Sequence, residues 1–241
     1  MKLMIIGATS GIGWALAEYY LQTGYEVAIC GRDLDKMTQQ TSYLKLKCYQ
    51  LDIADMVAIE NAIDDFGDGR LDMLIVAAGF YFNTRHQELD AATTLRMLQT
   101  NVSGLSHAFE LAAKKMLLQQ SGHLVGISSV AGLLKDYPGA SLYSASKRSV
   151  LSLCDTYRIA LAPFSIAVTA IVPGYVNTAK LRELNNGDAS RKPFVLSEKQ
   201  AVERIVNAIQ LRRAICVFPW QMRWLIRFCN FLPKRLLNLR R

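Results

Sequence analysis

Leu3-Met4-Ile5-Ile6 runs without a polar residue into Gly7-Ala8-Thr9-Ser10-Gly11-Ile12-Gly13, and this stretch decides the fold. Four apolar residues followed by a glycine-rich turn read as a short buried strand. The residues after it, from about Ile12 to Leu21, carry the periodicity of an amphipathic helix. A strand, a glycine turn and a helix in this order form a cradle for a dinucleotide pyrophosphate. Glycines let the backbone turn tightly and approach phosphates, and the helix start aims free N–H groups and a positive dipole at them. Gly7, Thr9, Ser10, Gly11, Ile12 and Gly13 are therefore the expected cradle. The spacing is G-x-x-x-G-x-G, not the common G-x-G-x-x-G, so the turn alone does not settle the matter.

Working outward, apolar runs recur at Leu3–Ile6, Glu26–Cys30, Lys45–Gln50, Met73–Ala77, Gly122–Ile127, Ile166–Val172 and near Ala214–Phe218. Helical patterns lie between them at 12–22, 33–42, 55–67, 90–119, 142–162 and 197–210. This alternation predicts an α/β fold: a Rossmann-type doubly wound parallel sheet of about seven strands, helices on both faces, in a single domain. Ser197 with Gln200 offers a capping box. The polar stretch Lys180–Pro193 is expected to be a lid. A length of 241 residues suits one such domain.

Other function classes recede on composition. Five scattered cysteines with no C-x-x-C pair argue for reduced thiols in a cytoplasmic setting. With a strand expected from residue 3, no signal peptide is expected. No run of about 18 uncharged apolar residues exists to span a membrane. The net charge of +8 is local: residues 204–241 hold nine Arg or Lys and no acid, whereas the other 203 residues hold 19 basic and 20 acidic side chains. That distribution argues against nucleic acid as a partner. His86, His107 and His123 form no metal-ligand pattern, so no metal is expected.

The second strand ends in Gly31-Arg32. Dinucleotide folds that bind NAD place an acid near this point to hold the ribose 2′-hydroxyl. A guanidinium there grips a 2′-phosphate instead, which predicts NADP(H), with Asp33 as a complicating charge. Asp52, after the third strand, either accepts from the adenine amino group or caps a helix.

Tyr143-Ser144-Ala145-Ser146-Lys147 places a phenol and an ammonium at i and i+4 on one helix face. An ammonium beside a phenol lowers its pKa, so such a Tyr can give or take a proton at a carbonyl oxygen. Ser128-Ser129 closes one predicted strand and Pro173-Gly174-Tyr175-Val176-Asn177-Thr178 follows another, where open α/β sheets keep their sites.

Together these residues resemble the classical short-chain dehydrogenases/reductases over roughly residues 3–220. The ordered match runs from the glycine turn through Asp52, Ala78-Gly79, Asn101, Ser129, Tyr143 and Lys147 to Pro173-Gly174. The resemblance implies hydride transfer between a nicotinamide and a carbonyl or alcohol carbon. It makes Tyr143 the acid/base, Lys147 the ribose ligand that lowers its pKa, and Ser129 a donor to the substrate carbonyl. Asn101 would hold a water in a proton relay, and Ala78, Gly79, Pro173, Gly174, Val176 and Thr178 would meet the cofactor. It also implies a homodimer or homotetramer formed through the 90–119 and 142–162 helices. Two departures stand out. Val76-Ala77-Ala78-Gly79 lacks both asparagines of the family's N-N-A-G. Ser129 lies 14 residues before Tyr143 where 13 is usual, which an extra residue in Leu133–Pro138 accounts for; Ser128 is the fallback. The substrate is expected to be shaped by Tyr81–Glu88, Gly132–Leu142 and the 180–200 loop.

The chain divides into a catalytic domain, 1–219, and a basic amphipathic tail, 220–241. In the tail, Trp220, Trp224, Phe228 and Phe231 recur at helical spacing, with Arg223, Arg227 and Asn230 on another face. Such a helix either lies in a membrane interface, at the inner face of a membrane with a lipophilic substrate, or packs against the domain or a second copy; periodicity does not separate the two. The rival readings are a non-catalytic NADP(H) sensor and a membrane-surface binding protein.

Overall fold

A computed structural model describes residues 1–33, 35–36, 43–81, 90–134 and 141–231. Seven strands form one parallel sheet in the order β3-β2-β1-β4-β5-β6-β7. They are β1 Lys2–Ile6, β2 Glu26–Gly31, β3 Leu46–Gln50, β4 Met73–Val76, β5 Gly122–Ile127, β6 Ile166–Pro173 and β7 Ile215–Phe218. The central strands are nearly continuous apolar runs because both faces are covered, while β3 at one edge is only partly buried.

One face carries α2 Met56–Phe66, α4 Gly104–Gln119 and α5 Leu142–Leu161 around Phe66, Phe109, Met116 and Val150. The other carries α1 Gly11–Gln22 and α7 Glu198–Gln210 around Leu16, Tyr20, Ile205 and Ile209. Chain order places β1 beside β4, and the crevice at that switch point lies between β1's glycine turn and the carboxyl end of β4.

All seven expected strands are present, with ends within two residues of expectation. The 90–119 segment differs. It splits into α3 Ala91–Leu98, a wide five-residue turn at Gln99–Ser103 and then α4. Helices widen in this way where an extra residue is accommodated, often at functional sites, and here the wide turn contains the buried Asn101. The expected 180–193 lid begins as a short helix, α6 Ala179–Glu183, capped by Thr178. Most of the expected 33–42 helix lies outside the described residues.

The tail forms α8, Trp220–Phe231. Met222 and Ile226 bury themselves against Val130 and Val172, and Asn230 Nδ2 donates to the Leu133 carbonyl at 2.8 Å. No helix among the described residues is long and apolar enough to cross a membrane. None of Cys30, Cys48, Cys154, Cys216 and Cys229 is in a disulfide.

Candidate active site

The glycine turn is pinned from two sides. Gly7 N donates to the Cys30 carbonyl at 2.8 Å, and Ala77 N and Ala78 N both donate to the Ile6 carbonyl, at 2.8 and 2.9 Å. These backbone bonds brace the stretch that lacks the family's two asparagines. Gly7 has φ +88°, and a side chain there would begin 2.3 Å from Ala78 N, so the turn and β4's end fit only without one. The Thr178 methyl lies 3.3 Å from where a Gly11 side chain would begin, which brings the loop after β6 over the turn.

The start of α1 lacks the side-chain cap that five other helix starts have. Asp55, Asp90, Ser141, Thr178 and Ser197 each accept a backbone N–H at the beginning of their helices. Ser10 makes no such bond, and no acid occupies the first turn of α1. Its N–H groups and dipole are left for an anion beside the turn. An uncapped helix start, a side-chain-free turn and a loop folded over both make a cradle that fits a dinucleotide pyrophosphate.

Arg32 is exposed just past β2. A side chain on Gly31 would begin 2.4 Å from Thr9 Cγ2, so the place of an NAD-selecting acid is crowded by the turn itself. Asp33, the complicating charge, is paired with Lys36 Nζ at 2.7 Å, and that bond holds its carboxyl below the usual range. Asp52 does not cap α2; Asp55 does, accepting from Ala58 N at 3.0 Å. Asp52 instead closes its own turn by accepting from Ala54 N at 3.0 Å, and it pairs with Arg96. Burial pushes its carboxyl up, but the Ala54 amide, Arg96 and Arg32 outweigh burial and hold it down.

The polar groups expected to do the chemistry converge at the carboxyl ends of β4 and β5. The Ser129 hydroxyl lies by the Tyr143 phenol and favours its ionised form, and it accepts from Ala131 N at 3.2 Å. Ser128 turns inward and donates to the Lys147 carbonyl at 2.7 Å, so of the two serines it is Ser129 that faces the phenol. Lys147 is buried, and its ammonium donates to the Ile127 carbonyl at 3.0 Å. It lies 3.1 Å from where a Gly79 side chain would begin, so glycine leaves it room. Asn101 accepts from Phe80 N at 2.7 Å and donates to the Phe80 carbonyl at 2.9 Å and to Ser146 Oγ at 3.0 Å. Ser146 Oγ in turn donates to the Tyr143 carbonyl at 2.8 Å. Both amide hydrogens of Asn101 are thus taken, and a water at its side chain could only donate to it. Gly174 N donates to the Phe218 carbonyl at 2.7 Å, which places the Pro173-Gly174 bend against the root of α8. Val176 is buried and bridges to Leu196.

The electrostatics depart from one sequence expectation. Burial pushes the Tyr143 phenol up to about 12, with the Ser129 hydroxyl pulling down and Tyr81 adding to the rise. Burial also pushes Lys147 down to about 8. The expected lowering of the phenol by the ammonium is absent because Lys147 is turned to the Ile127 carbonyl and desolvation dominates at both groups.

Tyr81, expected among the substrate-shaping residues, packs edge-on against Tyr143, centroids 4.9 Å apart at 86°. Sequence reasoning missed three participants: Arg96, Ser146 and the Ile127 carbonyl. Ser146 was within reach, since it sits three residues after Tyr143 on the same helix face; the others meet the site only through the fold. Among the described residues no group of three or more His, Cys, Asp and Glu could hold a metal. Residues 82–88 and 135–140, expected to shape the substrate, lie outside the described residues, as does most of the Leu133–Pro138 loop.

With this geometry in hand, the comparisons are specific. The family profile described as short chain dehydrogenase matches residues 2–189. An "Uncharacterized oxidoreductase" of Mycobacterium tuberculosis is 31% identical, over 98% of this chain and 95% of its own length. "Dehydrogenase/reductase SDR family member 7B" of Xenopus tropicalis is 30% identical over 78% of this chain and 65% of that one, so the match spans about two thirds of the longer relative. Among solved structures, "ElxO with NADP Bound" superposes with a TM-score of 0.77 at 27% identity, over 86% of this chain and 90% of that one.

Proposed function

The chain belongs to the short-chain dehydrogenase family and is an oxidoreductase of that family, and we propose that it is an NADP(H)-dependent member interconverting an apolar ketone or aldehyde and its alcohol. The observation that carries this reading is the convergence of Ser129, Tyr143 and Lys147 at the carboxyl end of β5, beside an uncapped glycine-rich cradle.

In this reading the turn from Gly7 to Gly13, including Thr9, Ser10 and Ile12, holds the pyrophosphate against the start of α1. Arg32 meets the 2′-phosphate, and the NADP-bound relative supports that choice. Asp52, already accepting from Ala54 and Arg96, keeps lone pairs for the adenine amino group. Ala78, Gly79, Pro173, Gly174, Val176 and Thr178 form the walls on the nicotinamide side. Bound NADPH supplies the hydride. Ser129 and Tyr143 donate to the carbonyl oxygen, stabilising the charge that develops there, and Tyr143 passes its proton to that oxygen. A phenol held near 12 keeps its proton at neutral pH, which suits reduction. Lys147 binds the ribose. Asn101 acts as a positioning residue, tying the Phe80 backbone to the helix that carries Tyr143.

The apolar substrate is argued from what surrounds the phenol. Tyr81 stands against it, and Leu133, Leu134 and Tyr175 pack with Met222 and Ile226 where the tail helix roofs the segment after Ser129. Assembly as a homodimer or homotetramer through α4 and α5 is supported by the exposed Leu118 and Ile159 on those helices.

The test is oxidation of NADPH and of NADH by the purified chain against ketones and aldehydes of graded chain length. NADPH preference and rates rising with apolar size are expected. Equal use of NADH removes the Arg32 assignment, and preference for small polar carbonyls removes the substrate class.

A further inference from the structure

The tail helix is already docked, yet it still presents an aromatic face. Its inner side, Met222 and Ile226, is buried against the domain. On the opposite side Trp220, Trp224 and Phe228 follow one another at i, i+4 and i+8, exposed at 62%, 61% and 64%. Three large aromatics in one line on a free surface mark an interaction site. Arg223 and Arg227 flank them, and the Arg227 guanidinium sits 5.7 Å from the Trp224 ring. The charge of the region is one-sided, with nine Arg or Lys and no acid in residues 204–241. Beyond Leu232 the sequence continues in kind, with Lys234, Arg235, Arg240 and Arg241 among Leu236, Leu237 and Leu239.

We infer that this face of α8 docks the protein on an anionic phospholipid surface. Tryptophan and phenylalanine rings suit the boundary between headgroups and acyl chains, and arginines reach phosphates from the flanks. A second copy is the poorer occupant. Two-fold pairing sets the same patch against itself and would bring two acid-free cationic segments together. The buried side of the same helix lies close to the reaction: Met222 Cγ is 3.3 Å from where a Gly174 side chain would begin, and Asn230 is bonded to Leu133, four residues after Ser129. A carbonyl compound dissolved in the bilayer would therefore enter near Tyr143. That last step rests on the hydride-transfer reading; the docking does not.

The experiment is co-sedimentation of the full chain with vesicles of phosphatidylcholine alone and of phosphatidylcholine mixed with phosphatidylserine. The protein is expected to sediment with the mixed vesicles only, and less so as salt is raised. Arg223→Gln with Arg227→Gln should weaken binding about thirty-fold at low salt. Trp220→Ser, Trp224→Ser and Phe228→Ser together should weaken it about tenfold or more. All five positions lie away from the buried side of α8, and circular dichroism with NADPH titration checks that each variant is folded. Failure of the wild type to bind mixed vesicles overturns the proposal, as does equal binding by the aromatic variant. A dimer that the aromatic variant dissociates, without vesicle binding, assigns the face to a second copy. Because the readout is sedimentation, loss of docking is distinguishable from failure of the catalytic reading.

Discussion

Strand β4 is held at both ends by the same device. At its amino end Gln119 accepts from Leu71 N at 2.7 Å and donates to the Leu71 carbonyl at 3.0 Å. At its carboxyl end Asn101 accepts from Phe80 N at 2.7 Å and donates to the Phe80 carbonyl at 2.9 Å. Each primary amide replaces a missing backbone partner, and the two sit at opposite ends of α4 and the turn that feeds it. The difference is where the spare N–H goes. Gln119 gives it to the neighbouring Ser121 carbonyl at 3.2 Å, which closes a loop. Asn101 gives it to Ser146 on the helix that carries Tyr143 and Lys147. The rest of each end follows suit. Around Gln119, Asp72 is used up by Lys2 N and Arg70, and His123 by Thr169, whose hydroxyl donates to the Arg213 carbonyl. Around Asn101, by contrast, the N–H groups at the start of α1 have no side-chain cap. A buried polar cluster becomes a site when its bonds fix the cluster and leave a reactive group facing outward.

The comparison can be broken first at the amino end, through pH. Burial pushes His123 down to about 4, from an ordinary value of 6.5. Below pH 6.5 the unfolded chain takes up a proton that the folded chain refuses. Stability therefore falls as pH drops from about 6.5 to about 4, by about 3 kcal/mol from this residue. His123→Gln should flatten that part of the stability curve in urea titrations, with no change in cofactor binding at the other end. An unchanged slope in the variant would mean the histidine is not protected in the folded state.

The two clamps come next. Asn101→Ala and Gln119→Ala should each lower unfolding free energy by about 2 kcal/mol, since each strands a part-buried N–H and carbonyl. Only Asn101→Ala should also cut turnover, by about a hundredfold, because it loosens the phenol's helix. Equal kinetic losses in both variants would erase the distinction drawn between the ends.

The smallest effect sharpens the carboxyl end alone. Arg32→Ala should raise the KM for NADPH about tenfold, the worth of one exposed charge-assisted contact, and leave that for NADH unchanged. A matching rise for NADH would move Arg32 from the 2′-phosphate to a general role.

The sequence made the sheet plain, because β1, β4, β5 and β6 are mostly apolar runs that need no tertiary information to be found. The site was legible where its groups lie close in the chain. Tyr143 and Lys147 share a helix face, and Ser129 ends a strand. It was not legible where a partner comes from elsewhere. Leu98-Gln99-Thr100-Asn101 carries no glycine or proline to announce the wide turn, and the bonds of Asn101 run to Phe80 and Ser146, 21 and 45 residues away. Arg96 is an ordinary helix residue until Asp52, 44 residues earlier, meets it. The phenol's pKa went the other way from expectation because burial cannot be read from a five-residue motif. In the tail, one periodicity encodes two apolar faces, and only packing showed which of them is spent.

The most direct test of the account is Tyr143→Phe, assayed for NADPH binding by fluorescence and for carbonyl-dependent NADPH oxidation on the same preparation. The ring still packs against Tyr81 and only the hydroxyl is lost. The account predicts NADPH affinity within about twofold of wild type and turnover reduced by about a thousandfold or more. Turnover that survives the substitution would contradict it, and would place the proton donor on another group.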